Sequence, residues 1–282
     1  MATFFNRATL SYGGRLMSSN VTEGELLDSI SITKTALNPT YTQGGSVLYA
    51  ISITNTGAGD VTDFSFTDDL GAYTVGTGTQ YPLTYVDGTL RLYVGGSPAP
   101  TPTVIGGPPL TVSGITVPAG SNALLIYEAG VTEFAPLADG STITNTVTAS
   151  SDCVENLTAS ATVTVVSEPV LSIAKAICPA TVSCAGELSY TFVIQNTGNA
   201  PVVATDDLTV SDTIVPILEN LTVTYNGTPW VEGVNYTYSE TTGEFSTLPG
   251  QITVPAATYT QDESGAVTLT PGVVTITVTG TV

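Results

Sequence analysis

The 282-residue chain has no histidine, three cysteines, one tryptophan and five basic residues against 24 acidic ones, for a formal net charge of −19. Each scarcity excludes something. Without histidine, the commonest general base and the commonest metal ligand are both missing. Cys153, Cys178 and Cys184 are too few for a disulfide scaffold, and without histidine they make a poor zinc or thiol-protease set. The pairs Asp68-Asp69 and Asp206-Asp207 lack the spaced ligands of a calcium loop. An enzyme is therefore not expected, nor a cofactor or a metal site. So few basic residues cannot neutralise a row of phosphates, which argues against nucleic-acid and anionic-membrane partners. No long unbroken apolar run offers a transmembrane helix. The N-terminus also lacks the basic cluster, apolar stretch and small-residue cleavage site of a secretion signal. Either such a leader is removed before this numbering starts, or the protein reaches its destination by another route.

What remains is rich in Thr, Val, Gly, Ser and Tyr, the composition of strands and turns. It is also repetitive. Ser31-Ile32-Thr33-Lys34 recurs as Ser172-Ile173-Ala174-Lys175. Gly45, Tyr49 and the turn Asn55-Thr56-Gly57 recur as Gly186, Tyr190 and Asn196-Thr197-Gly198, all at one offset of 141 residues. Further on, Phe64 to Asp68 pairs with Leu208 to Asp212. Ile115-Thr116-Val117-Pro118 returns as Ile252-Thr253-Val254-Pro255. The expected fold is all-β: two tandem immunoglobulin-like sandwiches, residues 29–167 and 168–282, preceded by an arm of residues 1–28. The Pro-rich run Gly95 to Pro102 reads as an exposed loop.

The two repeats are unequal. After Val131 the first continues to a strand around Ile143-Thr144-Asn145-Thr146-Val147 and a last strand ending near Val166. The second has no counterpart of either, and so lacks about two strands. Asn6-Arg7-Ala8-Thr9-Leu10-Ser11 resembles Asn145 to Ser150, and Ser18 to Leu27 takes the place of the last strand. The arm thus reads as the end of a domain placed at the start of the chain. Phe4, Asn6, Ala8, Leu10 and Tyr12 are its candidate donor-strand residues.

The motifs Ile32-Thr33-Lys34-Thr35, Tyr49 to Gly57, Phe66-Thr67-Asp68-Asp69-Leu70 and Thr144 to Thr148 resemble the domain-of-unknown-function-eleven repeats of bacterial surface proteins. The resemblance covers nearly the whole chain, with weaker echoes in the second repeat, which departs from the pattern by lacking the Asn strand. It implies immunoglobulin-like sandwiches in stalks, adhesins and fibres.

The only two lysines, Lys34 and Lys175, occupy the same repeat position. Strand parity places both on the apolar, inward face, with Ile30 and Ile32 or with Leu171, Ile173 and Ile177. Asp68, Asp212, Asn145 and Asn6 are inward by the same count. A lysine, a carboxylic acid and an asparagine meeting in an apolar core suit a spontaneous isopeptide bond, and the resemblance supports that chemistry. The trios are Lys34, Asp68 and Asn145 within repeat 1, and Lys175 and Asp212 with Asn6 of another subunit. A buried Lys–Asp ion pair without a covalent bond is the alternative. Cys178 and Cys184 are spaced to close a small disulfide loop; Cys153 is left over.

These features point to a structural subunit of an extracellular bacterial fibre on a cell or spore surface. Its partners would be copies of itself, joined head to tail by donor-strand complementation. The competing class is an adhesin or stalk module with ligand-binding loops.

Overall fold

The computed structural model describes residues 2–26, 29–151 and 154–282, so Cys153 lies outside the described residues. The fold is all-β with one 3₁₀ turn at Ala204–Asp206. Among the described residues no helix is long and apolar enough to cross a membrane. The chain divides into two compact units, Met1–Tyr73 with Tyr81–Ala135 and Ile143–Val163, and Thr74–Gln80 with Pro136–Thr142 and Thr164–Val282.

Unit 1 contains two sheets of six strands each. One runs Ser97–Ala99, Arg91–Val94, Asn122–Val131, Ser46–Asn55, Ile30–Ala36, with Leu83–Tyr85 also paired to Asn122–Val131. The other runs Thr103–Ile105, Leu110–Val117, Val61–Asp68, Thr142–Ser151, Val154–Val165, Thr40–Tyr41. Strict alternation in Ile30–Ala36 and Asn122–Val131 buries every second residue, as a strand with one face on the core requires. Tyr49, Ile51, Phe64, Phe66, Leu125, Tyr127 and Val147 form the interior.

Unit 2 repeats this plan but not all of it. Its larger sheet runs Leu171–Cys178, Glu187–Asn196, Gly272–Thr281, Glu219–Tyr225, Thr228–Trp230. Its smaller sheet runs Ser211–Thr213, Glu244–Thr247, Tyr236–Tyr238. Ser211–Thr213 corresponds to the Asp68 strand. In unit 1 that strand is flanked by Thr142–Ser151; in unit 2 it is an edge.

The repeated Asn-Thr-Gly turn has a structural role in both units. Asn55 Nδ2 donates to Gly59 O at 2.9 Å and Val117 O at 3.0 Å, while its Oδ1 accepts from Gly57 N at 2.9 Å. Asn196 bonds in the same way to Ala200 O, Pro255 O and Gly198 N at 2.7, 3.1 and 2.9 Å. The glycine is required by close approach: a Cβ at Gly198 would lie 2.2 Å from Glu168 O.

Two features differ from expectation. The run Gly95 to Pro102 is not all loop, because Gly95 and Gly96, at φ 56° and 80°, make a two-residue turn that pairs Val94 with Ser97. The arm is also more ordered than one donor strand. Ala2–Asn6 pairs with Thr22–Leu26 and Thr9–Tyr12 with Arg15–Ser18, closed by Gly13-Gly14 at φ 55° and 79°. It is one long self-paired hairpin.

Candidate functional site

The unit 1 trio comes together. Ile30, Ile32 and Lys34 are 4, 8 and 6% exposed, so parity alone carries the lysine inward. Lys34 Nζ donates to Asp68 Oδ2 at 2.6 Å, with both side chains fully buried. Its ammonium also lies 4.9 Å from the centre of the Tyr49 ring. Burial pulls the Lys34 pKa below its ordinary value, and the adjacent Asp68 opposes that pull. Asp68 Oδ1 accepts from Leu70 N at 3.0 Å. Asp69 grips the next strand: its Oδ1 accepts from Thr146 N at 2.8 Å and its N–H donates to Thr146 O at 2.9 Å. Those two bonds hold the strand of Asn145 in register beside the acid.

The acid and the amide are joined by a residue that sequence reasoning missed. Tyr127 Oη donates to Asp68 Oδ2 at 2.5 Å and accepts from Asn145 Nδ2 at 3.2 Å. Tyr127 stacks on Tyr49 with ring centres 5.7 Å apart. Desolvation, reinforced by the charge of Asp68, pushes its phenol well above the ordinary tyrosine range. The available signal was a hydroxyl among inward-facing Ala123, Leu125 and Ala129; in that company a tyrosine reads as core. Asn145 is fully buried, and its Oδ1 has no hydrogen-bond partner. Such an orphaned acceptor costs about 1–3 kcal/mol and calls for a reason.

No family model and no curated protein matches the sequence. Among solved structures, the chain is similar to the C-terminal domain of the Streptococcus agalactiae AgI/II polypeptide BspA, at 14% identity over 89% of this chain and 91% of that one, TM-score 0.33. It is similar to the pilus backbone RrgB of Streptococcus pneumoniae at 10% identity, covering 86% and 55% of the two chains, TM-score 0.36. A collagen-binding domain from a Staphylococcus aureus adhesin gives 15% identity over 50% and 99%, TM-score 0.30. The sandwich assignment rests on the strand orders above.

In unit 2, Lys175 and Asp212 are also hydrogen-bonded, and Lys175 lies 4.5 Å from the Tyr190 ring centre. The inward burial expected for Lys175 is not met. Its side chain is 37% exposed, that of Asp212 is 20% exposed, and Leu171, Ile173 and Ile177 are 40, 57 and 46% exposed. The physical reason is missing cover: parity sets which way a side chain points, and a second layer is needed to bury it. A depression of 550 Å³ opens between Ser211–Thr213 and Glu244–Ser246. Tyr127 pairs with Tyr49 across the sheet, and the residue paired with Tyr190 is Val278, so unit 2 has no counterpart of the bridging phenol.

Asn6 lies in the arm hairpin opposite Thr22. Phe4, Asn6, Ala8, Leu10 and Tyr12 are all exposed, Phe4 and Leu10 at 52 and 60%. Cys178, at the end of its strand, and Cys184, in the turn beyond it, are exposed and free, so the bond allowed by their spacing is not formed here.

The arm hairpin has a counterpart in unit 1. Asn145 and Asn6, Ser151 and Tyr12, Val154 and Arg15, and Val165 and Leu26 are each 139 residues apart, so the strand ends at the turn and the final strand's end coincide. Cross-strand bonds from Thr144 to Thr162 (2.9 Å) and Thr146 to Ser160 (3.0 Å) set Asn145 opposite Ala161; Asn6 is opposite Thr22, again 139 residues earlier. In unit 1 this hairpin buries Val147, Ala149 and Val163.

Proposed function

We propose that this chain is a structural subunit of an extracellular bacterial fibre, in which the arm hairpin of one copy completes unit 2 of the next. The carrying observation is the match between what the arm contains and what unit 2 lacks. The arm repeats the Thr142–Ser151/Val154–Val165 hairpin at one offset, and unit 2's smaller sheet ends where that hairpin would add. An exposed two-stranded hairpin and an unpaired sheet edge are each liabilities alone. Together they make a sheet.

The register follows from unit 1. There Val147 pairs with Asp68 and Ala149 with Phe66. Transferred at the two offsets, Ala8 lies opposite Asp212 and Leu10 opposite Val210, which carries Asn6 towards Lys175. Burying Phe4 and Leu10 would contribute about 1.5–3 kcal/mol per side chain, and a hairpin already formed has less entropy to lose on docking. Because donor and acceptor are different surfaces, the contact does not close on itself and extends into a filament.

The chemistry proposed for both trios is isopeptide formation. The lysine passes a proton to its aspartate and, as a neutral amine, attacks Cγ of the asparagine. A C–N bond forms, the bond to Nδ2 breaks, and ammonia leaves. Enclosure in the core supplies the effective concentration. In unit 2 the Lys175–Asp212 pair stays exposed until a hairpin docks, so the covalent step would follow assembly. The resemblance to the domain-of-unknown-function-eleven repeats agrees with a cell-surface or spore-surface setting.

The test is a boiling denaturing gel with mass spectrometry of assembled protein. A ladder of resistant multimers, each joint about 17 Da light from lost ammonia, supports the covalent fibre. A discrete monomer that assembles no further, with or without the arm, would instead favour a stalk module presenting ligand-binding loops.

A further inference from the structure

We propose that Tyr127 is the proton relay of the unit 1 reaction, delivering a proton to the departing nitrogen of Asn145. The inference rests on the isopeptide reading of Lys34, Asp68 and Asn145, and adds to it a residue that the trio does not contain.

The geometry is a continuous line of hydrogen bonds. Lys34 Nζ and Tyr127 Oη both donate to the same oxygen, Asp68 Oδ2, at 2.6 and 2.5 Å. Tyr127 Oη in turn accepts from Asn145 Nδ2 at 3.2 Å. One end of the line is the nucleophile and the other is the leaving group. Expelling an amide nitrogen as an anion is prohibitive, so it must be protonated as it leaves. Asp68 receives the proton that Lys34 sheds, but it reaches Asn145 only through the phenol. Tyr127 can pass its own proton to Nδ2 while taking one from Asp68, ending as it began. The phenol suits this transfer role because burial keeps it protonated.

The balance is as follows. Lys34 Nζ–H⁺ transfers to Asp68 Oδ2, and the free amine adds to Asn145 Cγ, placing negative charge on Oδ1. Tyr127 protonates Nδ2 and is reprotonated from Asp68, whose carboxylate then removes the surplus proton on the former lysine nitrogen. The carbonyl reforms, the Cγ–Nδ2 bond breaks with its electron pair on nitrogen, and ammonia departs, leaving as ammonium with the last proton from Asp68. No oxidant or co-reactant is needed.

Unit 2 supplies an internal contrast, since Val278 stands where Tyr127 would be. The joint reaction therefore runs without this relay and is the slower of the two.

The experiment follows the Lys34–Asn145 crosslinked peptide by mass spectrometry in full-length chain freshly made by cell-free synthesis, for wild type and Tyr127→Phe, in water and in deuterium oxide. The relay predicts a loss of rate of about 100-fold in Tyr127→Phe, in the range typical of general acid catalysis, with a solvent isotope effect in wild type that the variant loses. Equal rates in the two proteins would overturn the relay while leaving the bond intact. If wild type forms no crosslink, the isopeptide reading fails and the relay with it. Should Tyr127→Phe not fold, absence of a solvent isotope effect in wild type alone would overturn the relay.

Discussion

Lys34 and Lys175 share a strand position, a neighbouring aspartate and an aromatic ring at 4.9 and 4.5 Å, yet one is sealed and the other open. The difference does not lie on their own strands. It lies in the two-stranded hairpin that covers the first and that the second unit does not contain among its sheets. The chemistry of a buried site is thus separable from its cover, and the arm carries a second copy of that cover.

The comparison can be broken most completely by removing residues 2–26. Unit 1 should fold unchanged, and filament formation, followed by electron microscopy and sedimentation, should be lost outright. Next in size is the matched pair of aspartate substitutions. Asp68→Ala strands a buried ammonium and should cost unit 1 about 3–5 kcal/mol. Asp212→Ala in the unassembled chain breaks an exposed pair and should cost about 0.2–1 kcal/mol. Denaturant melts that gave both changes the same size would dissolve the distinction between sealed and open sites. Leu10→Asp should weaken the joint by about 1.5–3 kcal/mol, seen as a raised critical concentration for assembly, with the melting of unit 1 untouched.

Much of this contrast is legible in the residues, and the part that is not has a local cause. The offset between Lys34 and Lys175 and the alternation Ile30, Ile32, Lys34 define the strands and the inward side, because side-chain period in a strand is a property of neighbours in sequence. Exposure of Ile173 and Lys175 is not such a property; it depends on which other strands lie above them. The hairpin form of the arm turns on Gly13-Gly14, and the same Gly-Gly device at Gly95-Gly96 is hidden within a Pro-rich run. Tyr127 sits in an apolar alternation where only its partners, Asp68 and Asn145, distinguish it from packing.

The smallest effect expected is electrostatic. Burial holds the folded-state pKa of Lys34 below 10.5, its ordinary value. Between those two values the unfolded chain binds more protons than the folded one, so stability rises with pH across that window and is least below it. The measurement needs Asn145→Ala, which keeps the lysine free, against Asn145→Ala with Lys34→Met. Unfolding free energies that rise with pH in the first and stay flat in the second bear the assignment out; parallel curves would oppose it.

The central claim is that the arm hairpin completes unit 2, and it is tested most directly by adding a peptide of residues 2–26 to chain lacking that segment. Hydrogen exchange should slow at Val210 to Thr213 and along Leu171 to Cys178, with unit 1 unaffected and a one-to-one complex in native mass spectrometry. A peptide that does not bind, or that protects some other edge, would contradict the account.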